Sequence, residues 1–182
     1  KNWEKNLSGK ARSALESLRK RGEITSSTGE ITLNRNEKSM RIVTPRSEVL
    51  TGSGRLTGSV IVSAKLNGFQ TIALMSLDGK KLTESRKILL VQLSDLSNNG
   101  VRFEDQSRRV LLSWGSLPQM LERKSAEMVL ALPQNMRIVP LELDGTPAER
   151  EIPAEYRDGK LHFRAATDFL PGGTLSCLLT RE

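Results

Sequence analysis

Cysteine and histidine are almost missing from this chain: Cys177 and His162 are single representatives among 182 residues. A lone thiol excludes an internal disulfide framework and any multi-cysteine zinc site. A lone imidazole leaves little material for acid–base relays. Aromatic residues make up only 4%, so the flat rings that stack on bases or sugars are in short supply. No apolar run approaches the roughly 18 residues of a membrane-spanning helix. What remains is an ordinary globular balance, 37% hydrophobic and 27% charged, on a chain long enough to bury a core without staples. Opening on Lys1, with no initiator Met and no leader pattern, it reads as an excised piece of a longer polypeptide.

The net charge of +7 is unevenly spread. Residues 1–22 hold seven Lys/Arg against Glu4 and Glu16, a surplus of +5; residues 23–109 carry +4 and residues 110–182 carry −2. This is a basic tail on a nearly balanced domain. It does not favour nucleic acid as a partner, because the basic residues are not interleaved with aromatics.

Within the basic tail, Trp3, Leu7, Ala11, Ala14, Leu15 and Leu18 recur at steps of three and four. That spacing predicts an amphipathic helix over 3–21 with one apolar stripe. Ser8 suits the N-cap of its regular part, and Gly22 suits the left-handed residue after its last turn. A helix this short needs its stripe buried, and packing partly on the following β-rich part is expected.

From Ile24 onward the pattern turns to strands, at 31–33, 40–44, 56–64, 69–77, 87–93, 101–103, 110–114, 127–132, 136–143, 160–164 and 174–180. Asn67-Gly68, Asp78-Gly79, Asn99-Gly100, Asp144-Gly145 and Asp158-Gly159 punctuate them as residues that tolerate the positive φ of tight turns. The fold expected is mainly β: an antiparallel β-sandwich, with a barrel-like arrangement as alternative, preceded by one N-terminal α-helix. A subdivision near Gly115-Ser116-Leu117-Pro118 gives segments 1–22 (helix or linker), 23–117 (main sandwich) and 118–182 (further strands or a small β subdomain).

Candidate chemistry is thin. The stretch Thr51-Gly52-Ser53-Gly54-Arg55-Leu56-Thr57-Gly58 is glycine-rich but fits neither nucleotide-binding signature and reads as a flexible turn. His162 alternates with Leu161 and Phe163, which makes it a solvated or hydrogen-bonded strand residue. Cys177 reads as a small core residue. The pairs Glu104-Asp105 and Glu149/Glu151 are the nearest approach to the two carboxylates a glycosidase needs, yet adjacent acids in turns are common. Asp78-Gly79-Lys80 and Asp144-Gly145-Thr146 lack the alternating oxygen ligands of a calcium loop. Of the rings that could hold a sugar, Trp114 ends an apolar run and is expected in the core, Trp3 continues the helix stripe, and Tyr156 remains. No catalytic, cofactor-binding or metal-ligating residue is assigned.

Four stretches carry a resemblance. Ser26-Ser27-Thr28-Gly29-Glu30, Thr44-Pro45-Arg46, Ser76-Leu77-Asp78-Gly79 running to Leu82 and Ser85-Arg86, and the segment from Arg137 to Asp144-Gly145 follow in this order. Together they resemble the β-rich C-terminal domain that follows the catalytic barrel in a group of bacterial glycoside-hydrolase-like proteins. The resemblance implies a non-catalytic accessory domain that packs on the barrel of the same polypeptide, stabilises it and shapes one wall of its cleft. It also implies an exported parent and allows a contribution to carbohydrate binding. The catalytic carboxylates of that family belong to the barrel, so none is carried over. A binding module for acidic glycans or other polyanions, and a hydrolase in its own right, are the alternatives.

Overall fold

The computed structural model describes residues 3–133 and 135–181. A 3-10 turn (Trp3–Asn6) and one helix, α1 (Gly9–Arg21), precede the strands. β1 (Glu23–Thr25), β2 (Ile31–Asn34) and β3 (Ser39–Val43) lead into two long strands, β4 (Ser47–Leu56) and β5 (Ile61–Ser76). β6 (Lys87–Leu93) is followed by the short β7 (Leu96–Asn99), β8 (Arg102–Phe103), β9 (Leu111–Ser113) and β10 (Ser116–Leu121). β11 (Ser125–Leu130), β12 (Arg137–Leu141), β13 (Ala154–Arg157), β14 (Lys160–Ala166) and β15 (Ser176–Thr180) complete the chain.

The fold is mainly β with antiparallel pairing, as expected, and its main sheet is not closed into a barrel. β4 and β5 pair along nearly their whole length and belong to both halves of that sheet. The early part of β5 pairs β11, which continues to β14 and β13. The late part pairs β6, which continues to β15 and β12, while β3, β2 and β1 extend the other side from β4. The hydrophobic core joins the two halves: Ile61, Met128, Leu130 and Leu161 from one meet Leu50, Ile72, Leu90 and Leu179 from the other. The architecture is therefore sandwich-like, and its core draws on residues from both sides of position 117.

Two turn expectations change. Asn67-Gly68 does not separate two strands but lies inside β5, where register shifts between Gly52 and Gly54 bend β4 beside it. The glycine-rich 51–58 stretch is likewise no flexible turn. Through Leu56 it is strand, and only its end turns into β5. Asp158-Gly159 does make the tight β13–β14 hairpin, with φ of 50° and 70° as a type I′ turn requires.

The helix starts at Gly9 rather than at Trp3. Ser8 caps it by accepting from Ala11 N–H at 3.3 Å, and Gly22 N–H donates to Leu18 at 3.0 Å. No described residue of α1 is buried. The expected packing of its stripe on the β domain is thus not made; Leu15 and Leu18 are only half-covered. The helix is fastened at its end instead, where Arg35 N–H donates to Gly22 at 2.7 Å and Asn36 caps the Arg21 carbonyl. The side chain of Trp3 lies outside the described part. No described helix is long and apolar enough to cross a membrane.

Candidate docking surface

The polar motif residues are committed to holding loops. Asp78 accepts hydrogen bonds from Ser76 Oγ (2.9 Å), Ser85 Oγ (2.8 Å), Lys80 N–H (3.3 Å) and Arg86 N–H (2.8 Å). The Arg86 bond, with those from the two serines, holds its carboxyl well below the usual carboxylate range. Leu82, buried beneath this loop, donates its N–H to the Pro45 carbonyl at 2.9 Å, so two of the sequence motifs meet. Ser26 Oγ and Thr28 Oγ1 lie 3.1 Å apart across the Gly29 turn. Asp144 accepts from Thr146 N–H at 2.8 Å, which lowers its pKa.

This assignment has a pH signature. Because Asp78 titrates lower folded than unfolded, its contribution is complete above the unfolded carboxylate value near ~4 and fades as pH falls below it. Urea midpoints measured from pH 7 down to 2.5 should therefore show an acid decline that Asp78→Asn flattens. A parallel decline in the variant would show that other carboxylates set it.

No catalytic constellation forms among the described residues. Glu104 and Asp105 lie on an exposed turn, where bonds from the Ser107 hydroxyl and N–H lower the Asp105 pKa. Glu151 pairs with Arg137 at 2.7 Å beside β12, in another part of the fold. His162 is half-buried, with its Nε2 shielded and unbonded, and so is neither solvated nor hydrogen-bonded there as expected. Burial pushes the Cys177 thiol up to about 12, consistent with a core role. Tyr156 is partly buried, packs on the core and donates to the Leu132 carbonyl, which ties its ring to the fold. No group of three or more His, Cys, Asp or Glu among the described residues could hold a metal. A concavity of about 160 Å³ beside β3 and β4 is lined by Glu23, Glu37, Arg41 and Arg55 among others, charges of both signs without an assembled acid and base.

The unusual surface is a sheet face. In an antiparallel sheet with one solvated face, apolar and polar residues alternate. The half built on β11 and β14 obeys this: Arg55, Lys65, Glu127 and Arg164 are paired across four strands on its outside. The other half does not. Pairing register aligns Ile31, Ile42, Val49, Ala73, Val91, Ser176 and Leu141 across seven strands. A neighbouring row runs Ile24, Leu33, Met40, Thr51, Thr71, Leu93, and another runs Met75, Leu89, Leu178, Val139.

These residues alternate with the core-facing Leu50, Ile72, Leu74, Ile88, Leu90 and Leu179 and stand outside the core cluster, so they occupy the opposite face. Ile24 is 44% and Leu93 46% exposed. Toward β12 the face is already covered, with Ala73, Val139 and Leu141 buried, so the open apolar part lies on β1–β3 and β6, within a grid whose full extent over eight strands and three rows is roughly 500 Å². Exposed apolar residues that adjoin one another on a sheet face, as Ile24, Ile31 and Leu33 do here, are a feature of interaction surfaces.

Beside this grid an arm leaves the sheet between β6 and β11. β7 pairs β10 and, beyond them, β8 pairs β9, making one nested hairpin over residues 94–123. Its root is held by buried Thr167, whose hydroxyl donates to the Glu122 carbonyl at 3.0 Å and accepts from Lys124 N–H at 2.9 Å. Its turn loop returns to the root through the Arg108–Asp95 ion pair. Trp114, expected in the core, stands on this arm 77% exposed, and Leu117 is 79% exposed. The apolar run around Trp114 is real, but its hairpin lies outside the main sheet and has no second layer to bury it.

The sequence held a signal for the face that strand-by-strand reading missed. Ile88-Leu89-Leu90-Val91, Ile138-Val139-Pro140-Leu141 and Cys177-Leu178-Leu179 are unbroken apolar runs, the pattern of strands covered on both faces. Lys160 to Arg164, by contrast, alternates. Comparison with protein-family models, curated proteins and solved structures gave no match.

Proposed function

We propose that this chain is a non-catalytic accessory domain of a larger, exported glycoside hydrolase, docked on the catalytic domain of the same polypeptide through the apolar outer face of its β1–β6 strands. The observation that carries the reading is the face itself. Adjoining apolar residues on the solvent side of a sheet, here Ile24, Ile31, Leu33 and Leu93, cost solubility unless another layer covers them. The motif resemblance supports the glycoside-hydrolase assignment, and the motif residues are occupied in turns, as a structural domain requires. Its work is to stabilise the catalytic domain and to form part of the wall around its cleft.

Changing Ile42 and Val91 together to Lys tests this on the isolated chain. Both lie outside the core, so stability in urea should stay within about 1 kcal/mol of the parent. Binding of the fluorescent apolar probe anilinonaphthalene sulfonate should be strong in the parent and several-fold weaker in the variant. In the full-length polypeptide the same change should lower the thermal midpoint of the catalytic domain by several degrees. Two results would overturn the reading: a stable homodimer of the isolated chain broken by these changes, or glycoside turnover by the isolated chain that is lost on Glu104 or Asp105 substitution.

A further inference from the structure

We infer that the 94–123 arm is a second contact on the partner that covers the sheet face, with Trp114 as its anchor, and that the partner presents there an apolar pocket rimmed by carboxylates. The inference rests on the docking reading above and adds where the partner extends and what its surface carries.

Continuity points to one partner. The apolar row of the sheet ends on Leu93 at the last residue of β6, and the arm begins three residues later with the exposed Leu96. The sheet grid alone falls short of the roughly 800 Å² per side that a stable interface buries. A body reaching from Leu93 over Leu112, Trp114 and Leu117 supplies the difference.

The arm is built to present a fixed anchor. Asn98 Nδ2 donates to the Trp114 carbonyl at 3.0 Å. Gly115 follows at φ 70°, where a Cβ would sit 2.3 Å from the Asn99 carbonyl oxygen and 2.6 Å from Val101 N. The backbone beneath the indole is therefore locked, and an exposed tryptophan on a rigid support is the kind of residue that dominates protein interfaces. Its exposed neighbours Leu112, Leu117 and Met120 are aliphatic. They offer a sugar hydroxyl nothing to bond, which favours a protein surface over a glycan.

Charge gives the partner its chemistry. Most arm carboxylates are used internally: Asp95 by Arg108, Glu122 by Lys124 at 2.9 Å, and Asp105 by Ser107 at 2.7 Å. Arg102, Arg109 and Arg123 are exposed and form no ion pair among the described residues, against Glu104 alone. Arg102 lies opposite Ser113, next to the anchor. A second copy of this chain would bring the same arginines into an isologous contact, which like-charge repulsion disfavours. A carboxylate rim on a different surface complements them.

The test uses the full-length natural polypeptide with the photocrosslinker benzoylphenylalanine at position 114, at position 42 on the sheet face, or at position 65 on the polar face as control. Positions 114 and 42 should both crosslink to residues outside 1–182 of the same molecule, with position 65 giving none. Adding Arg102→Glu with Arg109→Glu should cut the yield from 114 several-fold and leave that from 42 unchanged. If 42 crosslinks outside the domain while 114 does not, or if charge reversal leaves the 114 yield intact, the arm inference falls and the docking reading stands. Crosslinks from 114 to a second copy, or quenching of Trp114 fluorescence by oligosaccharides, also overturn it. If 42 gives no crosslink outside 1–182, the docking reading falls and the arm inference with it.

Discussion

Glu48→Ala is expected to destabilise this chain more than any other single side-chain truncation, by about 4 kcal/mol, seen as a drop of roughly 1–2 M in the urea midpoint. Glu48 is 1% exposed and no cation pairs with it among the described residues. Its carboxylate accepts three backbone N–H groups in succession, from Ser59 (2.5 Å), Val60 (2.8 Å) and Ile61 (3.2 Å). It thereby satisfies the turn that joins β4 to β5, the two strands shared by both halves of the fold. Alanine would strand three donors, those of Val60 and Ile61 buried and that of Ser59 part-buried, each buried one costing about 1–3 kcal/mol less whatever water recovers. Glu48→Gln should fall between, since an amide nitrogen then meets an N–H.

Gly58 belongs to the same device, because a Cβ there would stand 1.3 Å from Glu48 Oε1. Gly58→Ala should approach the cost of Glu48→Ala alone, and the double variant should be little worse than either. Full additivity, or a Glu48→Ala cost under 1 kcal/mol, would remove Glu48 from this role.

Gln70→Ala should follow, at about 2–4 kcal/mol. Gln70 and Gln92 are 1% and 3% exposed on neighbouring strands. Gln70 Nε2 donates to the carbonyls of Asn67 and Ser125, both at 3.0 Å, and its Oε1 accepts from Gln92 Nε2 at 2.7 Å. The pair ties the bend of β5 to the start of β11, close to both roots of the arm. Removing Gln70 leaves the buried Gln92 amide and the part-buried carbonyls of Asn67 and Ser125 without this partner. Gln70→Leu with Gln92→Leu should recover part of the loss, because both ends of one bond become apolar together. A double variant as poor as the sum of the singles would mean that the carbonyl bonds, not the Gln–Gln bond, dominate.

Much of the fold was legible locally. The helix caps at Ser8 and Gly22, the Asp158-Gly159 hairpin, the run of short strands and the buried Cys177 each follow from a residue's own conformational or transfer preferences. The errors share a cause. Asn67-Gly68 has the chemistry of a hairpin turn, yet Gly68 takes φ 85° within a continuous strand because β4 bends alongside it. The 47–56 stretch, poor in strand formers, is a strand because β3 and β5 pair it on both sides. Gly58 suggested mobility and instead makes room for a carboxylate ten residues earlier.

By itself, then, the sequence determined class and local punctuation: mainly β, antiparallel, one capped basic helix, and no concentration of thiols or imidazoles. These depend on composition and on neighbours within a few residues. The tertiary structure alone decided sidedness. Val91 and Leu90 are both apolar, and local preference treats them alike; only the register of β5, β6 and β15 puts Leu90 in the core and Val91, half-buried, on the outer face. The same holds for Trp114, whose hydrophobicity marks a surface to be covered but whose exposure depends on its hairpin having no second layer. Burial is a property of the assembled layers rather than of the residue, and for that reason the proposed docking surface became visible only in three dimensions.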